Sequence, residues 1–366
     1  MNSNIEVIAY YLPQFHPIPE NNSWWGQGFT EWTNVAKARP LYRSHYQPKI
    51  PADLGFYDLR NPETREDQAE LARKAGIGGF CYWHYWFGNG KRLLERPFND
   101  VLQSGAPKFP FCLGWANESW KAKVWADDGG KKDKTLVEQL YPGVEDNEHH
   151  FFSLLDAFRD SRYIRIEGKP FFLIYKPFQF AEIKGFLAEW NALAKEVGLS
   201  DGFHFVAQID NAEQKDILEG YGFSAFVYAP RLLAAYWRQS KITRLISKIK
   251  RVMRGTPLII DYALAVEGFV DNEEDGLENV MPTIIPNWDH SPRSGNRAVV
   301  LDNSTPDLFR NNVRAAMNSV KHKRNCNKII MLKSWNEWGE GNYMEPDLKF
   351  GTGYIEALRL ELENWE

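Results

Sequence analysis

Short apolar runs alternate with helical patterns along the whole of this 366-residue sequence. Each apolar run has the length of a buried strand, and most are followed by a segment with apolar residues at helical spacing. About eight such strand-then-helix units occur, with no internal repeat, low-complexity tract or linker between them. The alternation predicts an α/β fold, a single (β/α)8 TIM barrel with long βα loops, in which residues 1–366 form one catalytic domain.

Barrel sites form at the carboxyl ends of the strands, so polar and aromatic residues at predicted strand ends are candidate site residues. His84 lies in a run of aromatic residues at the end of the second strand, and two interpretations of it remain open: a hydrogen-bonded core residue or a site residue. We expect one pocket to be surrounded by eight residues at or near strand ends: Tyr11, Glu31, His84, Trp115, Glu118, Asn287, Glu337 and Glu340.

The last predicted strand, over residues 328–333, leads into a stretch that holds two carboxylates three residues apart, Glu337 and Glu340. Glycines at 339 and 341 would let the backbone turn, so that both carboxylates enter one cleft. Trp335, Asn336 and Trp338 surround them. Paired carboxylates among aromatic rings suit glycosidic-bond chemistry, because one can protonate the departing oxygen while the other assists the nucleophile. The simpler alternative is a strand-end turn with two solvated glutamates.

A segment over residues 13–62 follows the first strand and is too long for an ordinary loop. It carries Trp24, Trp25, Glu31 and Trp32 among glycines. Aromatic side chains are costly to expose, so we expect this insertion to fold back as a wall of the site. An apolar plug on the barrel rim would explain the tryptophans as well, but not Glu31.

The third predicted strand ends in Trp115, and Asn117 and Glu118 then repeat the Asn-Glu pair of Asn336 and Glu337. These residues are therefore further candidates for substrate binding. Asp127 and Asp128 follow in a polar, glycine-containing loop. They could suggest a cation site, but no oxygen ligands recur at regular spacing, so we take them as solvated.

Composition excludes some classes of function. The net charge of −4 and the sequence pI of about 6.1 argue against a nucleic-acid partner. Aromatic residues are 14% of the chain, which fits either a glycan-facing surface or a heavily aromatic core. The three cysteines, Cys81, Cys112 and Cys326, lack the spacing of a metal site, and no metal or cofactor is expected.

The N-terminal residues lead directly into the first strand without a charged and then apolar signal segment, and no apolar run approaches a membrane span. A cytoplasmic location is the resulting expectation.

Residues 237–254 contain seven lysines and arginines and no acidic residue, and their apolar residues recur at helical spacing. We predict a barrel helix with a basic outer face; the alternative is weak contact with an anionic membrane surface.

Four motifs carry a resemblance to a known family, namely Tyr10-Tyr11-Leu12-Pro13-Gln14-Phe15-His16, Gly28-Phe29-Thr30-Glu31-Trp32, Trp115-Ala116-Asn117-Glu118 and Asn336-Glu337-Trp338-Gly339-Glu340-Gly341. The chain resembles, over nearly its whole length, the WbsX-type proteins of bacterial surface-polysaccharide clusters, which are often labelled glycosyltransferases. It is also similar, mainly through the Glu-Trp-x-Glu-Gly core and the barrel, to glycoside hydrolase family 99, the endo-α-1,2-mannosidases and mannanases.

The family 99 resemblance implies a retaining, metal-independent hydrolase acting on α-linked, mannose-like glycans. It makes Glu337 the base on the sugar's own 2-hydroxyl and Glu340 the general acid and then base, with Glu340 protonated and Glu337 ionised. Tyr11 and Glu31 would bind the sugar. The family core has a histidine where this chain has Gly339.

Three functions remain open: a hydrolase or transglycosylase, a glycosyltransferase of O-antigen or capsule biosynthesis, and a non-catalytic carbohydrate-binding barrel. A nucleotide-sugar enzyme usually shows a glycine-rich turn after a strand or an acidic metal pair, and neither is evident. Binding alone needs no pair such as Glu337 and Glu340. We therefore favour the hydrolase.

Overall fold

The computed structural model describes residues 5–122 and 134–365. The chain divides into two compact units: Met1–Gly78 with Pro230–Glu366, and Gly79–Ala229. We call them the first and the second unit. The proposed solvated pair Asp127 and Asp128 lies outside the described residues.

Eight strands carry the alternation of strand and helix, and we label them in chain order: β1 (Glu6–Tyr11), β2 (Gly79–Trp86), β3 (Phe111–Trp115), β4 (Lys169–Ile174), β5 (His204–Ile209), β6 (Ala225–Tyr228), β7 (Thr283–Ile284) and β8 (Ile329–Leu332). Further strands lie at Arg92–Leu93, Trp120–Ala122, Lys134–Val137, Arg165–Ile166, Leu258–Asp261, Val280–Met281, Trp288–Asp289, Val299–Asp302, Asn336–Glu337 and Asn342–Tyr343.

The α-helices are Pro19–Trp25, Glu31–Lys37, Pro62–Ala75, Arg96–Ser104, Val144–Arg159, Ile183–Glu196, Ala212–Glu219, Ala234–Arg238, Lys241–Arg254, Tyr262–Ala265, Ser291–Ser294, Pro306–Val320 and Gly353–Glu363. Local sequence explains several of their ends. Thr305 accepts a hydrogen bond from the Leu308 amide at the start of Pro306–Val320. Gly76 adopts the left-handed conformation that closes Pro62–Ala75.

In the first unit, β8 pairs in parallel with both β1 and β7. All four residues of β8 are buried, as expected for a parallel strand covered on both faces. The helix Gly353–Glu363 packs against both Pro306–Val320 and Pro62–Ala75. The 13–62 segment contains two of the helices rather than a structureless loop.

In the second unit, β2, β3, β4, β5 and β6 pair in parallel in chain order. The helices Val144–Arg159 and Ile183–Glu196 pack on each other beside this sheet. Trp190 is fully buried between Phe172 and Phe186, at ring-centroid distances of 4.8 and 4.6 Å. Much of the aromatic content is therefore used in the core, the second of the two interpretations of composition.

Residues 237–254 form two helices rather than one, because the first ends at Arg238 and the second begins at Lys241, where the Ser240 hydroxyl accepts a hydrogen bond from the Thr243 amide. Within residues 5–122 and 134–365, no helix has both the length and the apolar character needed to cross a bilayer.

Candidate active site

The two candidate carboxylates lie on one tight turn of the first unit. Asn336–Glu337 pairs antiparallel with Asn342–Tyr343, and a 3-10 turn over Trp338–Glu340 joins the two strands. Gly341 closes this turn with φ of +54°, a conformation that glycine adopts without strain. The predicted turn after the last strand is present, and it directs both glutamates to the same cation.

That cation is Arg293, at the end of the short helix Ser291–Ser294. Its Nη1 donates to Oε1 of Glu337 at 3.1 Å and to Oε1 of Glu340 at 2.7 Å. Its Nε and Nη2 donate to the two oxygens of Glu31 at 2.9 and 3.0 Å, the bidentate geometry for which a guanidinium is suited. Arg293 thus joins three of the predicted site residues, which are separated in sequence by up to about three hundred positions.

Gly339 has a function that the sequence did not predict. It does not have a positive φ, so it is not needed for the turn itself. A Cβ atom at this position would lie 2.6 Å from the carboxyl carbon of Glu31 and 2.9 Å from Nε of Arg293. The absence of a side chain at Gly339 therefore provides the space in which Glu31 and Arg293 meet.

The surroundings separate the pKa values of the two glutamates. Burial raises the pKa of Glu337, the charge of Glu340 raises it further, and Arg293 offsets this only in part. Burial also opposes ionisation of Glu340, but Arg293 and then His290, whose Nε2 lies 3.4 Å from Oε1, hold its pKa well below the usual value. Interacting carboxylates commonly divide in this way.

The pKa of Glu337 is thus above that of Glu340, which is the reverse of our expectation. The family resemblance implied a protonated Glu340 and an ionised Glu337, whereas the structure favours a protonated Glu337 and an ionised Glu340. The reason is that Arg293 lies closer to Glu340 than to Glu337, and His290 also contacts Glu340. The family resemblance and the structure thus assign the proton to different glutamates, and the roles of Glu337 and Glu340 stay a prediction.

Several aromatic residues considered for the site in the first unit are buried. Tyr11 and Trp335 are fully buried, and the Tyr11 hydroxyl donates to Oε1 of Gln68. Trp32 is buried, and its indole nitrogen donates to the Tyr57 carbonyl. Trp338 is buried as well and stacks on Tyr343 at 3.8 Å. Little of these rings is exposed, so the structure favours a packing role for them over stacking on sugar.

The three candidate asparagines share one structural role. Asn336 accepts a hydrogen bond from the Leu12 amide and donates to the Leu12 carbonyl, so its side chain pairs with the backbone as a neighbouring strand would. Asn287 forms the same pair with Tyr343. In the second unit, Asn117 forms it with Lys176. The repeated Asn-Glu pattern therefore reflects asparagine side chains that form hydrogen bonds to loop backbone at strand ends.

The remaining candidates belong to the second unit. His84 is buried with its Nε2 2.8 Å from Nε2 of His150, and burial followed by Arg92 lowers its pKa well below the ordinary value. Trp115 is buried and donates to the Trp86 carbonyl. For both, the core interpretation fits the structure better. Glu118 is partly exposed.

Arg293 and His290 were missed by sequence reasoning. A signal was available: they follow a predicted strand end, and three glutamates that converge in one cleft require a cation.

Behind the turn, Glu345 was also missed. Its Oε2 accepts from Trp338 and Tyr57, and its Oε1 from Gln68, at 2.6 to 2.9 Å. Burial raises the pKa of Glu345 to about 7 against these hydrogen bonds.

No group of three or more His, Cys, Asp or Glu side chains that could hold a metal ion occurs in residues 5–122 and 134–365. The described site has two carboxylates of opposite proton preference beside the partly exposed side chain of Arg293. This arrangement can donate a proton, accept a proton and bind a polar substrate group.

Comparison with known proteins identifies the family of this chain. Residues 7–358 match the family model described as glycosyltransferase WbsX. The protein named "Uncharacterized protein WxcX" from two strains of Xanthomonas campestris pv. campestris is 32% identical over 369 residues, covering 97% of this chain and 49% of that protein. The chain thus spans about half the length of these relatives.

Two solved structures show the fold. A "Glycoside hydrolase-like protein" has a TM-score of 0.61 at 16% identity and covers 99% of this chain and 94% of its own. The GH99 endo-alpha-mannosidase from Bacteroides thetaiotaomicron has a TM-score of 0.57 at 14% identity, covering 99% and 97%. The predicted fold class, a (β/α)8 barrel, is confirmed.

Proposed function

Because the chain belongs to the family described as glycosyltransferase WbsX, we propose that it is a carbohydrate-active enzyme that cleaves α-glycosidic bonds in the metabolism of bacterial surface polysaccharides. We propose a retaining hydrolase, able to transfer to other acceptors, and mannose-like glycans as its substrates. The substrate class is supported by the Glu337–Gly341 resemblance to family 99 and by the shared fold.

One observation carries this proposal: Oε1 of Glu337 and Oε1 of Glu340 both accept from the same nitrogen of Arg293, at 3.1 and 2.7 Å. Two oxygens so placed are no more than about 6 Å apart. Inverting glycosidases hold their two carboxyl groups about 6.5–9.5 Å apart to admit a water between them, so a pair this close argues against inversion. The close pair thus supports retention of anomeric configuration.

The proton preferences suggest a division of work. Glu337, whose pKa is raised, donates its proton to the glycosidic oxygen as the bond from that oxygen to the anomeric carbon breaks. Glu340, whose pKa is lowered, takes the proton of the sugar's 2-hydroxyl as that oxygen bonds the anomeric carbon. Water then attacks the anomeric carbon as the bond from that carbon to the 2-oxygen breaks. Glu337 takes a proton from the water, and Glu340 returns the other proton to the 2-oxygen. Both glutamates end as they began, and no metal takes part.

The test is incubation of the purified chain with α-linked manno-oligosaccharides, with released sugar measured by NMR before mutarotation. We expect the α-anomer to appear first, and turnover to fall about 10²–10⁴-fold in Glu337→Gln and in Glu340→Gln. Glu213→Gln, on the exposed face of Ala212–Glu219, is the matched control and should behave as the unsubstituted protein. A β-anomer as first product would contradict the retaining mechanism.

A glycosyltransferase is the second candidate, favoured by the description of the matching family. It is distinguished by incubation with nucleotide sugars plus an oligosaccharide acceptor. Release of nucleoside diphosphate that depends on the acceptor, without hydrolysis of α-mannosides, would replace the hydrolase proposal.

A further inference from the structure

The helix Lys241–Arg254 presents its apolar side to solvent. All six apolar residues of this helix are exposed, from 47% for Ile246 to 81% for Met253. Among the helix residues whose exposure the structure describes, the partly exposed ones are polar: Arg244, Ser247 and Arg251. A barrel helix normally shows the reverse, with apolar residues on the protein and polar ones outward. Our prediction of a barrel helix with a basic outer face is therefore wrong in its orientation.

The apolar residues form one continuous face. At about 100° per residue, the positions of Ile242, Leu245, Ile246, Ile249, Val252 and Met253 fall within an arc of about 120°. Trp237 lies in the preceding helix, Ala234–Arg238, and is 60% exposed. Its ring centroid lies 4.9 Å from Cζ of Arg244. Apolar residues scattered singly over a surface are ordinary, whereas a continuous exposed apolar face marks an interaction surface.

The charge beside this face identifies the partner. Residues 237–254 carry seven basic residues and no acidic one, in a chain whose net charge is −4. Lys241 and Lys248 lie beside one edge of the apolar arc on the helix wheel, and both are exposed. A nucleic acid would pair with the cations but leave the apolar face in water. An anionic bilayer surface accepts both, because acyl chains take the apolar residues and headgroups take the cations.

We propose that residues 237–254 bind the chain to an anionic lipid surface, with the helix axis in the plane of the interface. Trp237 suits this position, since indole rings concentrate at the boundary between headgroups and acyl chains. The binding is peripheral and places the enzyme beside substrates carried at a membrane. It does not depend on the proposed chemistry of Glu337 and Glu340.

The experiment is flotation of the full chain with vesicles of phosphatidylcholine alone or mixed with phosphatidylglycerol. We expect the chain to float with the mixed vesicles at low salt, to float much less with phosphatidylcholine alone, and to be released as salt screens the charges. Ile242→Ser with Val252→Ser should reduce binding about tenfold or more. Lys241→Glu with Lys248→Glu should do the same and also remove most of the salt dependence.

Two double variants serve as controls. Val144→Ser with Phe152→Ser removes exposed apolar side chains from the helix Val144–Arg159, and Lys184→Glu with Lys195→Glu reverses exposed charges on Ile183–Glu196. Both should bind as the unsubstituted chain does. Thermal melting should show all four variants folded, because every substituted residue is exposed.

Absence of flotation with the mixed vesicles at low salt would overturn the proposal, and so would equal binding by the Ile242 and Val252 variant. Sedimentation velocity supplies a further outcome. Concentration-dependent dimers that the same variant abolishes, in a chain that does not float, would assign the apolar face to a second copy instead of a membrane.

Discussion

The carboxylate of Glu31 occupies the space that a side chain on residue 339 would fill, and it does so because that residue is Gly339. The family 99 core that the sequence resembles has histidine at this position. In this chain the loss of that side chain coincides with a bidentate pair between Glu31 and Arg293. Where the family core has a histidine, this chain has a glycine, and the ion pair occupies the space that a side chain there would fill.

Gly339→Ala tests this relationship. The three atoms nearest to the new Cβ belong to the side chains of Glu31 and Arg293, so the chain should fold while the pair separates. Overpacking of this kind costs about 1–3 kcal/mol of unfolding free energy, which denaturant titration would measure. Gly185→Ala, where an added Cβ meets nothing within 4 Å, is the control and should be neutral or stabilising. Equal stability of both variants would contradict the assigned role of Gly339.

Arg293→Met should destabilise the chain strongly near neutral pH. Removing one partner from a buried ionic cluster leaves its charges uncompensated, at a cost of about 3–5 kcal/mol. Arg293 holds the pKa of Glu340 low, so its stabilising effect is present above the ordinary glutamate pKa and diminishes as the pH falls and the carboxylates protonate. The stability difference between variant and unsubstituted protein, measured by denaturant titration, should shrink from pH 8 towards acid. A difference independent of pH would contradict this.

Kinetics on two leaving groups test the proposed roles of the two glutamates. If Glu337 is the acid, Glu337→Gln should reduce kcat/KM most on an unactivated α-mannoside, because a nitrophenolate or fluoride departs without protonation. Glu340→Gln should reduce it about equally on both substrates. The opposite pattern would restore Glu340 as the acid, and would indicate that bound substrate displaces Arg293 from it.

Glu345 should make stability decrease with rising pH. Burial raises its pKa from 4.5 to about 7, so the folded chain holds a proton that the unfolded chain releases between these values. The stabilising effect is complete below pH 4.5 and lost by about pH 7, an effect of about 3 kcal/mol. Glu345→Gln should lack this slope, as measured by the denaturation midpoint from pH 5 to 8. Parallel slopes in both proteins would argue against the assignment to Glu345.

Chelation should leave turnover unchanged, since both proton transfers are assigned to Glu337 and Glu340. The measurement is the rate on an α-mannoside before and after prolonged treatment with EDTA. Loss of activity that a divalent ion restores would contradict the proposed mechanism.

The alternation of apolar runs and helical patterns was enough to predict the fold class, because strand and helix periodicities are local properties of the sequence. The same holds for the cap at Thr305 and for the turn that carries Glu337 and Glu340, since capping residues and glycines act on their immediate neighbours. Local chemistry thus determined which elements form and where two of the carboxylates lie along the chain.

Tertiary structure decided everything that depends on distant neighbours. Arg293 joins Glu31 to Glu337 and Glu340, and no spacing rule relates residues so far apart. The order of proton preference follows from which carboxylate that one cation and His290 approach more closely. The burial of Tyr11 and Trp335, and the outward apolar face of Lys241–Arg254, likewise depend on what packs against each side chain, which periodicity alone does not specify.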